Sequence, residues 1–188
     1  MTDTSKIEPH SVLDELPGDL MMWILIVSEL IVFGAGLAAF MSVRIMDPIG
    51  FAESQDHLNR AAAGANTAIL VTSGFLAAYA FRLREAAKRG MARIMLVAAA
   101  VLGVAFLWIK AIEYRADAAA GLTIDTNSFF TFYYLLTGFH AAHVVAGIVI
   151  LLLVAWRDAP RNIEVGAAFW HMVDLVWVLL FPVIYLLR

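Results

Sequence analysis

Five long apolar stretches constrain the fold of this chain more than any other feature of its sequence. Each is long enough to cross the hydrocarbon core of a bilayer, which takes about 20 residues of helix. They run from Leu20 to Val43, Ala61 to Phe81, Met91 to Ile112, Phe129 to Trp156 and Val165 to Leu187. Short connections join the second stretch to the third and the fourth to the fifth, which predicts antiparallel neighbours. The sequence therefore predicts an all-α fold, a polytopic membrane bundle of five transmembrane helices.

The composition agrees with a membrane protein. Of the 188 residues, 62% are hydrophobic and 15% are charged, whereas soluble domains carry about 25% charged residues. The net charge of −3 gives no reason to expect nucleic acid as a partner, and the lack of cysteine excludes disulfides and thiolate metal sites. We expect one domain over residues 20–188. The charged residues of the preceding segment, residues 1–19, are mostly acidic, and the segment lacks the basic start of a secretory signal.

Lysine and arginine are distributed unequally between the two ends of the predicted spans. The richer side holds Lys6, Arg82, Arg84, Lys88, Arg89, Arg93, Arg157 and Arg161, and the poorer side holds Arg44, Arg60, Arg115 and Arg188. Because the richer side faces the cytoplasm, the N-terminus is predicted to be cytoplasmic and the C-terminus to lie outside. Lys110 is near a span end and is expected to reach outward to the interface.

Five ionisable side chains fall inside the predicted spans. Glu29 is in the first span, His140 and His143 are in the fourth, and His171 and Asp174 are in the fifth. A charged group in hydrocarbon costs about 2.5–3.5 kcal/mol on insertion scales, so each should face other helices. With a rise of about 1.5 Å per residue, all five fall within one band of membrane depth. This coincidence predicts a buried polar network that fixes helix register, with a proton-handling site as the alternative.

A metal or haem site is a further alternative for these residues. His140 and His143 are three residues apart, as are His171 and Asp174, and both pairs could supply ligands on facing helices. The Glu-x-x-His pattern of di-iron bundles is absent, however. We therefore predict no catalytic residue, no cofactor-binding residue and no metal ligand in this chain. A haem held between two histidines is left open to an optical spectrum.

A second polar set lies near the predicted outer face and consists of Asn66, Lys110 and Glu113. Lys110 and Glu113 are three residues apart and can pair on one helical face. Helix capping and interfacial hydrogen bonding are sufficient to explain this set. Because Asp174 is predicted to be deeper, its replacement by alanine is expected to destabilise the bundle more than that of Lys110.

Two stretches of this sequence resemble a known family. Residues 137–144 read TGFHAAHV and residues 169–177 read FWHMVDLVW, and both resemble motifs of subunit III of the haem–copper oxidases. The resemblance covers residues 17–188 in the family order. It also includes Trp23, Ser28-Glu29, Asn66-Thr67, Ser73-Gly74, Glu113-Tyr114 and Glu164.

This resemblance implies an accessory subunit of a respiratory complex. In that family, subunit III carries no haem or copper, packs against the haem-bearing catalytic subunit and supports its stability, its proton uptake and its supply of gaseous substrate. Glu29 matches a buried family glutamate that reacts with carbodiimides. The implied partners are the catalytic subunit and membrane lipids, and the implied location is a bacterial inner membrane.

The number of spans differs from that of the longer family members, which have seven helices. Their first two helices form one wall of a lipid-holding cleft, so the lipid-filled oxygen path is not carried over to this chain. Five-helix forms occur in quinol oxidases and in the nitric-oxide-reductase-associated (NorE-type) branch, and residues 127–138 look closest to the latter. Two other functions stay open, namely a self-sufficient proton or small-molecule carrier using Glu29 and an intramembrane redox enzyme.

Overall fold

Six helices make up the described part of the chain. The computed structural model describes residues 20–157 and 160–187, although not the side chains of residues 160 and 161. Its helices are α1 (Leu20–Met46), α2 (Pro48–Asp56), α3 (Arg60–Glu85), α4 (Arg89–Ala119), α5 (Ser128–Arg157) and α6 (Pro160–Phe181), which continues as a π-helical turn (Pro182–Leu186). These ranges contain no β-strand. The predicted cytoplasmic segment 1–19 with Lys6, the side chain of Arg161 and Arg188 lie outside the described residues.

Five of these helices are long and apolar enough to span a membrane, which confirms the predicted five-helix bundle. They are α1, α3, α4, α5 and the range Asn162–Leu186. The largest difference in boundary is at α4, which continues about two turns beyond Ile112 because Glu113 and Asp117 are buried inside the bundle. It ends at Ala119, and Gly121 two residues further on has a φ of 78° that lets the Leu122 N–H bond the Asp117 carbonyl at 2.9 Å.

Helix α2 lies between the first two spans and was not predicted. The Asp47 side chain accepts a hydrogen bond from the Gly50 N–H at 3.0 Å, and Pro48 occupies the first helical turn, which is a favoured helix start. At its other end, the Gln55 side-chain amide donates to the Ile184 carbonyl at 2.6 Å. Helix α2 is therefore tied to the π-helical turn that follows α6.

Helix α6 is the centre of the bundle. It packs against α1, α3 and α5, and its side chains Trp170 and Trp177 are fully buried. Other large, buried side chains come from every helix and from the π-helical turn: Phe40, Phe51, Leu70, Leu96, Phe106, Phe129, Phe130, Tyr133, Leu151, Ile163 and Tyr185. Hydrocarbon alone does not drive such helices together, so close packing and interhelical hydrogen bonds hold them. The buried polar side chains of the spans lie in the interfaces that this packing creates.

Candidate functional site: polar clusters between the helices

The first polar pair joins α1 to α5. His143 Nε2 lies 3.1 Å from Glu29 Oε2, a close electrostatic contact that lacks hydrogen-bond geometry. The other ring nitrogen of His143 lies 2.9 Å from the Phe139 carbonyl oxygen, and Phe33 packs edge-on against the imidazole. Both members of the pair are partly exposed at the surface of the bundle. The structure therefore brings Glu29 and His143 together at the edge of the bundle.

The second polar pair lies on α6, where it faces α3. His171 Nδ1 is 4.0 Å from Asp174 Oδ2, and the His171 side chain is 46% exposed whereas that of Asp174 is 11% exposed. Asp174 packs directly against Gly74 of α3, where a Cβ atom would overlap its carboxylate. The other carboxylate oxygen, Oδ1, has no hydrogen-bond partner among the described residues. Gly74 is thus the position that allows a carboxyl group to fit between these two helices.

Replacing Gly74 with alanine is expected to destabilise the bundle by about 1–3 kcal/mol, because the added methyl group forces Asp174 and α3 apart. The matched control is Gly64→Ala on the same helix, where a Cβ meets no described atom within 4 Å and where alanine favours the helix. Thermal unfolding in detergent measures both. A G74A/D174S double variant should recover part of the loss. Equal melting temperatures for G74A and G64A would contradict this account of the α3–α6 contact.

His140 is fully buried but joins neither pair. Its ring stacks on Trp177 with centroids 5.2 Å apart, and Phe106 and Phe33 meet it edge-on. Neither ring nitrogen has a hydrogen-bond partner among the described residues. Within the described chain, the five in-span residues thus form two separate pairs and one isolated imidazole rather than one hydrogen-bonded network. Their role in fixing helix register stays a prediction.

Trp170 fills a groove that two glycines leave open. A Cβ atom at Gly103 of α4 or at Gly147 of α5 would come within 2.7 or 2.5 Å of the Trp170 ring. The Trp170 N–H donates to Ser73 Oγ at 3.0 Å, and the Ser73 hydroxyl donates to the Ala99 carbonyl at 2.7 Å. This one side chain of α6 therefore contacts α3, α4 and α5. No pattern in the sequence indicates these contacts.

Lys110 lies inside the bundle, and the expectation that it reaches the interface is wrong. Only 2% of the residue is exposed. Its ammonium group donates to Glu113 Oε2 at 3.1 Å, to the Tyr133 hydroxyl at 3.0 Å and to the Tyr185 hydroxyl at 2.8 Å. The pairing of Lys110 with Glu113 agrees with their spacing. The ammonium points inward because the two tyrosine hydroxyls and Glu113 together accept its three hydrogens.

These residues belong to a larger group, the Lys110 cluster, which we define as Lys110, Glu113, Asp117, Tyr133 and Tyr185. Both tyrosine hydroxyls lie close to Glu113 Oε1, Tyr185 at 2.9 Å and Tyr133 at 3.1 Å. The Tyr133 hydroxyl also lies 3.3 Å from Asp117 Oδ2. The ammonium lies within 6 Å of four aromatic ring centroids, a distance at which cations are attracted to aromatic faces.

Sequence reasoning missed three members of the Lys110 cluster. Asp117 was overlooked although it follows Glu113 by four residues and so lies on the same helical face. Tyr133 and Tyr185 come from α5 and the π-helical turn, and no sequence pattern links them to α4. Tyr185 in particular is fully buried, although its place near a span end suggests an interfacial aromatic residue.

Asn66 makes a contact that is separate from the Lys110 cluster. Its side-chain N–H donates to the Phe106 carbonyl at 3.3 Å, which links α3 to α4. Its carbonyl oxygen has no hydrogen-bond partner among the described residues. No hydrogen bond between described side chains joins Asn66 to Lys110 or Glu113, so the polar set predicted near the outer face consists of an ion pair and a separate interhelical bond.

The histidines of the spans do not converge on one point. His140 stacks on Trp177, His143 contacts Glu29, and His171 lies beside Asp174 at the α3–α6 interface. Across the described residues, no group of three or more His, Cys, Asp and Glu side chains is placed to hold a metal ion. The polar side chains instead contact neighbouring helices.

These features define a class: an integral, multi-pass membrane protein whose five spans are held together by buried polar and aromatic contacts. Comparison with known proteins narrows the class. The family model of cytochrome c oxidase subunit III matches residues 18–188. The chain therefore belongs to the cytochrome c oxidase subunit III family, in which subunit III is a non-catalytic subunit.

The names of individual relatives agree with this family assignment. The chain is 32% identical over 178 residues to cytochrome c oxidase subunit 3 of Thermostichus vulcanus, covering 89% of this chain and 86% of that protein. It is 31% identical over 182 residues to the same subunit of Synechocystis, covering 90% and 76%. A probable cytochrome c oxidase subunit 3 of Mycobacterium bovis is 28% identical over 169 residues, covering 86% and 83%.

Proposed function

We propose that this protein is an accessory subunit of a respiratory haem–copper complex in a bacterial inner membrane. In this role it packs against the haem-bearing catalytic subunit, stabilises it and has no catalytic centre of its own. The second part of the proposal is that it supports the supply of protons or of gaseous substrate. Glu29 and His143 are the pair at which a proton would then be held.

The exposed imidazole of His171 is the observation that carries the proposal. His171 is eleven residues beyond the start of α6, which places it about 16 Å along the helix, well inside a membrane. Its side chain is nevertheless 46% exposed. Ionisable side chains within spans almost always face protein or a water-filled cavity rather than lipid. A partner subunit that covers this face of α6 would remove the imidazole from lipid.

Orientation and domain organisation belong to the same proposal. Residues 20–188 act as one membrane domain, and residues 1–19 lie in the cytoplasm together with the α3–α4 turn. The basic residues at this turn support the assignment, because lysine and arginine are enriched on the cytoplasmic side. They are Arg82, Arg84, Lys88 and Arg89.

The partner reduces either oxygen or nitric oxide. The names of the relatives favour a cytochrome c oxidase, whereas residues 127–138 resemble the nitric-oxide-reductase-associated branch. Turnover of the purified complex with each gas distinguishes the two partners. The carrier hypothesis makes a different prediction, a flux across vesicles containing this chain alone that is abolished by Glu29→Gln.

Purification of the tagged chain from native membranes tests the proposal. With gentle detergent extraction, we expect a haem-bearing subunit to co-purify, seen as a visible absorption spectrum that belongs to the partner. Recovery of the tagged chain alone, with unchanged stability and no haem, would contradict the proposal.

Replacing His171 with leucine should lower the amount of haem recovered per tagged chain several-fold, because the partner would lose a polar contact within the membrane. Val178→Ala is the matched control, since Val178 lies two turns further along the same face of α6 and is 42% exposed. The measurement is the ratio of haem absorbance to tagged protein. If H171L and V178A give the same ratio as the unmodified chain, His171 faces lipid and the partner lies elsewhere.

A further inference from the structure

The Lys110 cluster contains more short contacts than it has hydrogens to make them. The ammonium of Lys110 carries three hydrogens and the hydroxyls of Tyr133 and Tyr185 carry one each, which makes five. Six contacts join its polar atoms, at 2.8 to 3.3 Å. An ionised carboxylate accepts hydrogen bonds and has none to donate. With Glu113 and Asp117 both ionised, one of the six contacts therefore has no hydrogen between its two atoms.

The unmatched contact is at Tyr133. The ammonium hydrogens are used by Glu113, Tyr133 and Tyr185, and the Tyr185 hydroxyl donates to Glu113. The single hydroxyl hydrogen of Tyr133 then has two acceptors, Glu113 Oε1 at 3.1 Å and Asp117 Oδ2 at 3.3 Å. The carboxylate that does not receive this hydrogen faces the lone pairs of the Tyr133 oxygen. Two acceptors in contact with no hydrogen between them are costly in free energy when they are buried.

Other groups around Asp117 do not supply the missing hydrogen. The Tyr134 hydroxyl of α5 donates to the Leu122 carbonyl at 2.8 Å. His57, in the loop between α2 and α3, lines the same cleft as Asp117 but forms no hydrogen bond to it. Tyr133 is the hydrogen-bond partner of the Asp117 side chain among the described residues. Asp117 is otherwise buried, with 7% of the residue exposed.

A cleft connects the Lys110 cluster to the end of the bundle where α2 lies. It has a volume of about 210 Å³ and is lined by His57, Asn59, Ala62, Ile109, Ile112, Glu113, Ala116 and Asp117. Both carboxylates of the cluster therefore border space that water can enter. The exposed side chain of His57 also lines this cleft.

We propose that the Lys110 cluster binds one exchangeable proton, taken up through this cleft and held between Asp117 and Tyr133. On uptake, the Asp117 carboxylate gains the proton and its new O–H donates to the Tyr133 oxygen, while Tyr133 donates to Glu113. Six contacts then have six hydrogens, and the two carboxyls and the ammonium carry no net charge. This proposal concerns the isolated chain and does not rest on the proposed function.

The same arrangement lets the proton move one step inward. If Asp117 passes its proton to the Tyr133 oxygen as Tyr133 passes its own hydrogen to Glu113, the Asp117 carboxylate is restored and Glu113 becomes a carboxylic acid. Only O–H bonds break and form, and the numbers of atoms and charges are unchanged. Tyr133 is thus the group through which the carboxyls of Asp117 and Glu113 exchange a proton.

Infrared difference spectroscopy of the full-length protein in detergent at pH 7 tests the proposal. The spectrum of the unmodified chain minus that of the Asp117→Asn variant should show the C=O band of one protonated carboxyl, and this band should shift in D₂O. An exposed aspartate would be ionised at this pH and would give a carboxylate band instead. Carboxyls elsewhere in the bundle cancel in the difference. Asp125→Asn, in the exposed loop between α4 and α5, is the control and should remove a carboxylate band instead.

Two variants keep the test independent of folding defects. Asp117→Asn supplies an amide N–H as the sixth hydrogen and should melt at the same temperature as the unmodified chain or higher. Tyr133→Phe removes the oxygen that accepts the Asp117 O–H, so the C=O band of the protonated carboxyl should move to higher frequency, as expected for a carboxyl that has lost its hydrogen bond. Loss of a carboxylate band in D117N, as in D125N, would show that Asp117 is ionised and would overturn the proposal.

Discussion

Replacing Lys110 with methionine should destabilise the bundle by about 3–5 kcal/mol, the usual cost of removing one partner of a buried ion pair. The side chain keeps its length, but Glu113 loses its ammonium partner while remaining buried. The two tyrosine hydroxyls lose the same donor. Thermal unfolding in detergent, followed by circular dichroism, measures the loss.

The double variant K110M/E113Q is the control for this experiment. It removes both charges and should recover most of the stability, because a neutral pair leaves no uncompensated charge in the core. Asp174→Ala should cost less than K110M, since the Asp174 carboxyl has one unbonded oxygen and only a half-exposed histidine nearby. This order reverses the ranking expected from the sequence, which placed Lys110 at the membrane interface. A larger loss in D174A than in K110M would contradict the role given to the Lys110 cluster.

Truncation of Trp170 to alanine should have a comparable effect, a loss of about 3–5 kcal/mol. Trp170 is fully buried in the groove beside Gly103 and Gly147, which are already at their minimum size. Those positions cannot fill the cavity, and Ser73 loses the N–H that it accepts. The same unfolding measurement reports the loss.

Trp156→Ala is the matched control for Trp170. Trp156 lies near the end of α5 and is 76% exposed, so its truncation leaves no cavity. Trp170→Phe should fall between the two, because it keeps most of the volume but removes the bond to Ser73. If W156A and W170A lowered the melting temperature equally, the central position of Trp170 would be refuted.

Periodicity and spacing within single helices were enough for part of the site. Lys110 and Glu113 pair as their three-residue separation predicts, and His171 and Asp174 lie side by side on α6. The contact between Glu29 and His143 crosses two helices and agrees with their similar predicted depth. Depth along the membrane normal follows from residue count, because a helix rises by a constant amount per residue.

The rotation of each helix about its own axis could not be predicted from periodicity, spacing and residue count. The predicted depth of His140 is similar to that of the two pairs. Its ring nevertheless packs against aromatic rings and forms no hydrogen bond with either pair. Tyr133 and Tyr185 reach Lys110 because α5 and the π-helical turn present those faces to α4. A sequence pattern states which residues share a face, but not which face of the neighbouring helix they meet.

The sequence by itself determined the five membrane spans, the all-α class, the family and the pairs formed within one helix, because hydrophobic length and helical spacing are local properties. Tertiary structure alone decided that Lys110 lies inside the bundle, that Trp170 rests on two glycines of different helices, and that Tyr133 stands between two carboxyls. These arrangements depend on how closely and at what rotation separate helices pack. Those quantities arise from the summed contacts of the whole bundle rather than from any one stretch of it.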